Sequence, residues 1–146
     1  MQRLMDEFIN LQDRPEPYIT INIINHSFYN WKGTLNGPDG TPYEGGLFEF
    51  EITFPPNFPT SPPEFLFKTP IFHPNIRSDG HVCCEIFSNA WNPKVPVRNI
   101  ISYAVGLLNE PEPRAGYQGP ATELCLKNRE DFNREARRWT FEHAMG

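Results

Sequence analysis

No uninterrupted apolar run in this chain approaches the ~18 residues that a membrane-spanning helix needs, so a helical transmembrane reading is out and no membrane partner is expected. Positive charge is also in short supply. Thirteen Lys and Arg stand against eighteen Asp and Glu, a formal charge of −5. The acidic excess falls wholly in residues 1–70, with four basic and nine acidic side chains, while residues 71–146 balance at nine and nine. A nucleic-acid partner is therefore not expected, because phosphate binding needs a basic footprint. Cysteine is scarce as well. Cys83, Cys84 and Cys125 are odd in number, and an adjacent pair bridges only under strain, so no secreted disulfide framework is indicated. A reducing compartment, cytoplasm or nucleus, is the expected location. The opening Met1-Gln2-Arg3-Leu4-Met5-Asp6 lacks a basic segment followed by an apolar one, and no secretory leader is expected.

What is present is enough for one core. The 146 residues are 38% hydrophobic and 21% charged, too apolar and too mixed for disorder. A chain of this size can hide about 68–70% of its unfolded surface, which predicts a single domain over residues 1–146. Sixteen prolines, most of them between Pro38 and Pro113, are too many for a helical bundle and too dispersed for a linker. They predict short strands joined by long ordered turns.

Periodicity supplies the order of elements. Leu4, Phe8 and Leu11, with Met5 beside them, share one helical face between Gln2 and Asp13, and Pro15 and Pro17 end the run. Ile19, Ile21 and Ile23 alternate within a strand predicted over 18–24. Trp31, Gly33 and Leu35 do so over 30–36, and Phe48, Phe50, Ile52 and Phe54 alternate with Glu49, Glu51 and Thr53. After the proline-laden turn 55–63, a fourth short strand runs through Phe65 and Phe67. Between Pro70 and Pro96 the periodicity vanishes, and a long irregular stretch inside a compact domain is usually functional. Val97, Ile100, Ile101, Ala104, Val105 and Leu108 mark a second helix ending near Asn109. A third is predicted around 122–127, and a fourth from an Asn128 cap through Phe132, Ala136, Trp139 and Phe141. A helix, four consecutive strands without helical crossovers, an irregular loop and then helices make an α+β fold with an antiparallel meander.

The irregular stretch holds the chemistry-bearing residues. His73-Pro74-Asn75 is followed eight residues after Asn75 by Cys83, and Trp91-Asn92-Pro93 begins eight residues after that. On these residues the chain resembles the ubiquitin-conjugating enzymes. The resemblance extends in order and spacing through Pro38 and Tyr43-Glu44-Gly45-Gly46, the Phe54-Pro55 to Pro62-Pro63 turn, Leu107-Leu108 before Pro111-Glu112-Pro113, and Ala136-Arg137-Arg138-Trp139-Thr140.

That resemblance implies an acyl transfer with Cys83 as the nucleophile. Its thiol receives the carboxyl terminus of ubiquitin, or a ubiquitin-like modifier, from an activating enzyme and passes it to a lysine of a protein substrate, usually with a ubiquitin ligase. A thiolate attacks well, and the thioester stays reactive enough for an amine to resolve it. Asn75 corresponds to an asparagine that either donates to the oxyanion formed when lysine attacks or braces the loop. His73 corresponds to a turn-holding histidine, a general base being the other reading of a Cys-His pair. Pro74, Trp91 and Glu112 are implied supports of the active site, and Arg3, Thr60 and Pro93 are implied ligase-docking positions. Cys84 stands where the family usually has Leu, which implies a buried apolar side chain. No cofactor is implied for the chain itself; ATP is consumed by the activating enzyme. A metal site at His73, His81, Cys83 and Cys84 is disfavoured by the absence of spaced cysteine pairs.

The chain also departs from the family pattern. Many members carry an acid two residues after the second proline of their Pro-Asn-Pro, where this chain has Ala115, and Glu112 fills the Asn place. Glu112, Asp79, His81 and Glu85 are the polar candidates to help the incoming lysine. Thr60 replaces a large apolar side chain, and the first helix offers Arg3 beside Asp6 and Glu7 rather than a basic cluster. A conjugating-enzyme-like binding module without turnover therefore stands as the alternative class.

Overall fold

Residues 1–82 and 91–145 of a computed structural model are described. Helix α1 (Gln2–Asp13) leads into a meander of β1 (Ile19–Ile24), β2 (Ser27–Asn36), β3 (Leu47–Thr53) and β4 (Glu64–Phe67), all antiparallel in the order β1-β2-β3-β4. After the site segment come α2 (Val97–Asn109), a 3-10 turn (Pro113–Ala115), α3 (Pro120–Lys127) and α4 (Arg129–His143). This is the α+β arrangement the sequence predicts. Alternation sets the core face: Trp31 and Leu35 on β2, Phe48, Phe50 and Ile52 on β3, and Phe65 and Phe67 on β4 are all buried. Gly33 is directly opposite Phe50, and a Cβ there would fall 2.6 Å from the Phe50 ring and 2.3 Å from the Thr20 carbonyl oxygen. The ring occupies the space the glycine leaves, and stacks on Phe65 at 4.8 Å.

The helices close this core from either end. Phe8 of α1 meets Trp31 edge-on at 5.4 Å, while α2 contributes Ile100, Ile101, Ala104, Leu107 and Leu108. In α4, Phe132 and Trp139 lie 5.7 and 5.6 Å from Phe72, and the Leu47 N–H donates to the Ala144 carbonyl. Asn128 caps α4 by accepting from the Asp131 N–H at 3.1 Å.

Four details differ from the sequence expectation. Strand β1 begins one residue later, because Tyr18 sits at φ 65° and is exposed. Strand β2 begins at Ser27 rather than Asn30, because Asn25 and His26, at φ 52° and 61°, form a two-residue hairpin turn without glycine. Helix α3 starts earlier, at Pro120, a residue suited to the first helical position. Phe141 is exposed rather than packed, and lies under the Arg137 guanidinium at 4.5 Å.

Candidate active site

The His-Pro-Asn turn is buried, and hydrogen bonds tie it both to itself and to distant segments. His73 is 2% exposed; its Nδ1 accepts the Asn75 N–H at 2.9 Å, so Nε2 carries the proton and donates to the Leu107 carbonyl at 2.6 Å. Burial holds its pKa down to about 4, and the neutral ring is a structural pin between the turn and the end of α2. Tyr43 adds a second fastening: it lies 5.8 Å from the His73 ring and donates its hydroxyl proton to the Phe72 carbonyl at 2.7 Å.

Asn75 is also buried, and its amide makes a closed pair with the backbone of Glu112. Oδ1 accepts the Glu112 N–H and Nδ2 donates to the Glu112 carbonyl, each at 2.9 Å. One amide N–H remains, and it has no partner among the described residues. This geometry makes Asn75 a brace between the turn and the Pro111-Glu112-Pro113 crossing. The Pro74 carbonyl accepts from the Tyr117 N–H at 2.9 Å, which ties the same turn to the segment entering α3. The Glu112 side chain is exposed, and Ala115 is exposed at the end of the 3-10 turn. Cys83, Cys84 and Glu85 lie outside the described residues.

A second face gathers the docking candidates. Trp91 donates from Nε1 to the Pro59 carbonyl at 2.8 Å and lies 6.0 Å from Phe58, which fixes the segment beginning at Trp91 against the proline turn. Arg3 sits over Phe58 at 5.5 Å and donates to the carbonyls of Pro93 at 2.6 Å and Val95 at 2.9 Å. Thr60 and Pro93 are exposed on the elements so joined. Arg3 also pairs with Glu7, whose other oxygen accepts the Val97 N–H at 2.7 Å and so caps α2. The guanidinium is thus committed to joining α1, the Pro93 loop and α2.

Sequence reasoning missed several partners. Tyr43 and the Leu107 carbonyl carry no local signal of their role, and Glu64 reads only as a polar strand residue. The sequence offers Asp79 and His81 as polar candidates to help lysine; in the structure Asp79 makes a two-bond pair with Arg77, and His81 lies between Asp79 and Glu64.

Among the described residues, a four-stranded meander with one α-helix before it and three after, carrying a His-Pro-Asn turn bolted to a Pro-Glu-Pro crossing, defines a conjugating-enzyme fold. The family model for ubiquitin-conjugating enzymes matches residues 3–140, and the chain belongs to that family. It is 39% identical over 129 residues to an Arabidopsis thaliana protein named "Probable ubiquitin-conjugating enzyme E2 31", covering 88% of this chain and 84% of that one. Among solved structures it is similar to a ubiquitin-conjugating enzyme domain of Toxoplasma gondii, with a TM-score of 0.88 and 32% identity over 98% of this chain and 97% of the other.

Proposed function

We propose that the protein accepts ubiquitin as a thioester on Cys83 and transfers it to substrate lysines. The Cys83 thiolate attacks the thioester carbonyl of the modifier on the activating enzyme; a new C–S bond forms and the activating enzyme's thiolate leaves. A lysine amine then attacks, the amide forms, Cys83 departs as thiolate, and the ammonium proton passes to solvent or a nearby base. The observation that carries this reading is Cys83 in register, eight residues after an Asn75 that the fold has braced, in a chain of this family. His73, neutral and enclosed, serves the turn rather than proton transfer. Thr60, Pro93 and the surface around Arg3 are the docking face for a ligase, the chain needs no cofactor of its own, and it works in the cytoplasm or nucleus.

Incubation with activating enzyme, ATP and ubiquitin should produce a mass shift that thiol reductant removes, with ubiquitin-like modifiers run in parallel. Cys83→Ser should lose the reducible adduct completely, while Cys84→Ser and Cys125→Ser keep it. Reducible charging of the Cys83→Ser protein would sink the assignment. A second reading, a binding module without turnover, is favoured by the exposed Ala115 where many relatives place an acid. An adduct that forms and never discharges to free lysine would select it.

A further inference from the structure

Beside the braced turn lies a charged cluster on the strand that leads to Cys83. Gly80-His81-Val82 runs antiparallel to β4: Leu66 pairs with His81, the Phe67 N–H donates to the Gly80 carbonyl at 2.8 Å, and the Val82 N–H donates to the Phe65 carbonyl at 3.3 Å. This short strand is the last described stretch before Cys83. The His81 side chain is only partly covered, and both ring nitrogens face carboxylates. Nε2 is 2.8 Å from Glu64 Oε1 on β4, and Nδ1 is 3.0 Å from Asp79 Oδ1 on the preceding turn. Arg77 holds Asp79 at 2.8 and 2.6 Å and brings one nitrogen to 3.0 Å from His81 Nδ1.

Charge decides which state of the ring completes this arrangement. Two carboxylates face one guanidinium and one imidazole, so the cluster is neutral only when the imidazole is protonated. Only the imidazolium can donate through both nitrogens to both carboxylates. We propose that His81 is a positioning residue for the Cys83 chemistry: as an imidazolium held between Glu64 and Asp79, it pins the strand entering Cys83 to the edge of β4. This rests on the Cys83 thioester reading above.

The hydrogen bond to Asp79, and after it the one to Glu64, raise the His81 pKa above its usual 6.5. A raised pKa means that the clamp is complete below about 6.5 and is lost as pH rises through the shifted value. The neutral ring keeps its bond to Glu64 and turns Nδ1 to the Arg77 N–H, which leaves a net negative charge on the cluster.

The test compares single-turnover charging of the parent with two variants under a common activating enzyme, and follows the His81 ring by NMR. Exposed pairs of this kind couple weakly, so His81→Gln should charge about two- to five-fold more slowly than the parent near pH 6, with the two converging as pH rises through the midpoint of the parent's ring. His81→Lys keeps a cation and should match the parent near pH 6 and exceed it above the midpoint of the parent's ring. The ring should titrate above 6.5, with the amide signals of Gly80 and Val82 following the same midpoint. A ring midpoint at or below 6.5, or a His81→Gln to parent ratio that does not change with pH, overturns the proposal. Absence of any reducible adduct from the parent at every pH overturns the thioester reading and the positioning role with it, while the ring and amide titration would still read the clamp.

Discussion

His73 and His81 stand eight residues apart in the chain, and the fold drives them in opposite directions. His73 has only neutral partners, a backbone N–H and a backbone carbonyl, inside a closed core. Desolvation disfavours its charge, and the ring is a fixed spacer. His81 lies at the surface with carboxylates on both sides, and they favour its charge. The same side chain is therefore a rigid strut in one place and a titrating clasp in the other. What separates the two regions is water access together with the sign of the neighbouring charge. The strut holds the Asn75 turn in register whatever the ambient pH near neutrality, while the clasp changes charge at a pH above that of an ordinary histidine.

The largest expected effect tests the strut. The folded pKa of His73 is depressed to about 4 from an unfolded value of 6.5, so the unfolded chain takes up the proton first. Stability contributed by the neutral ring is present above about 6.5 and is lost as pH falls through 4. At 1.36 kcal/mol per unit, the loss is about 3 kcal/mol. NMR titration should find the His73 ring neutral until the protein is close to acid unfolding. A midpoint near 6 in the folded protein would erase the contrast with His81.

Asn75 comes next, because its two amide bonds bind the strut to the Pro111-Glu112-Pro113 crossing. Asn75→Ala leaves the Glu112 N–H and carbonyl without their buried partner and should cost ~1–3 kcal/mol in urea unfolding. Asn75→Asp retains the acceptor but sets a carboxylate oxygen against the Glu112 carbonyl. If the brace dominates, both variants should lose thioester charging and lysine discharge in step with stability. If the remaining N–H serves the oxyanion, Asn75→Ala should slow discharge far more than charging. Equal stability of Asn75→Ala and parent would remove the brace from the comparison.

The sequence made the regular parts of the fold legible and the crossings between segments less so. Phe48 to Phe54 announces β3 because alternation alone separates a buried from a wet face, and Asn128 announces α4 because its side chain satisfies a bare helix N–H. Asn25-His26 gives no such signal; the turn demands positive φ at residues that are not glycine. Phe141 matched the helical spacing, yet α4 turns it outside the core, where Arg137 covers it. The family signature pointed to His73 and Asn75, but their partners Leu107 and Glu112 lie 34 and 37 positions away. The Glu64–His81 contact depends on a register in which Leu66 faces His81, and no local periodicity encodes that pairing.

The smallest expected effect tests the clasp from its β4 side. Glu64 and His81 are exposed enough for water and salt to compete with their contact, so Glu64→Gln should reduce stability near pH 6 by less than about 1 kcal/mol. Gln still accepts a hydrogen bond from Nε2, so the substitution removes the charge while leaving the contact possible. The His81 pKa should therefore fall toward its ordinary value, because one of the two carboxylates favouring the imidazolium has gone. Salt gives an independent check. At about 1 M the Debye length shrinks to ~3 Å, and most of the difference between Glu64→Gln and parent should disappear. His73, whose depression arises from burial, should keep its titration midpoint under the same salt. If salt moved both rings alike, or if Glu64→Gln left the His81 titration where it was, surface charge would no longer be what distinguishes the clasp from the strut.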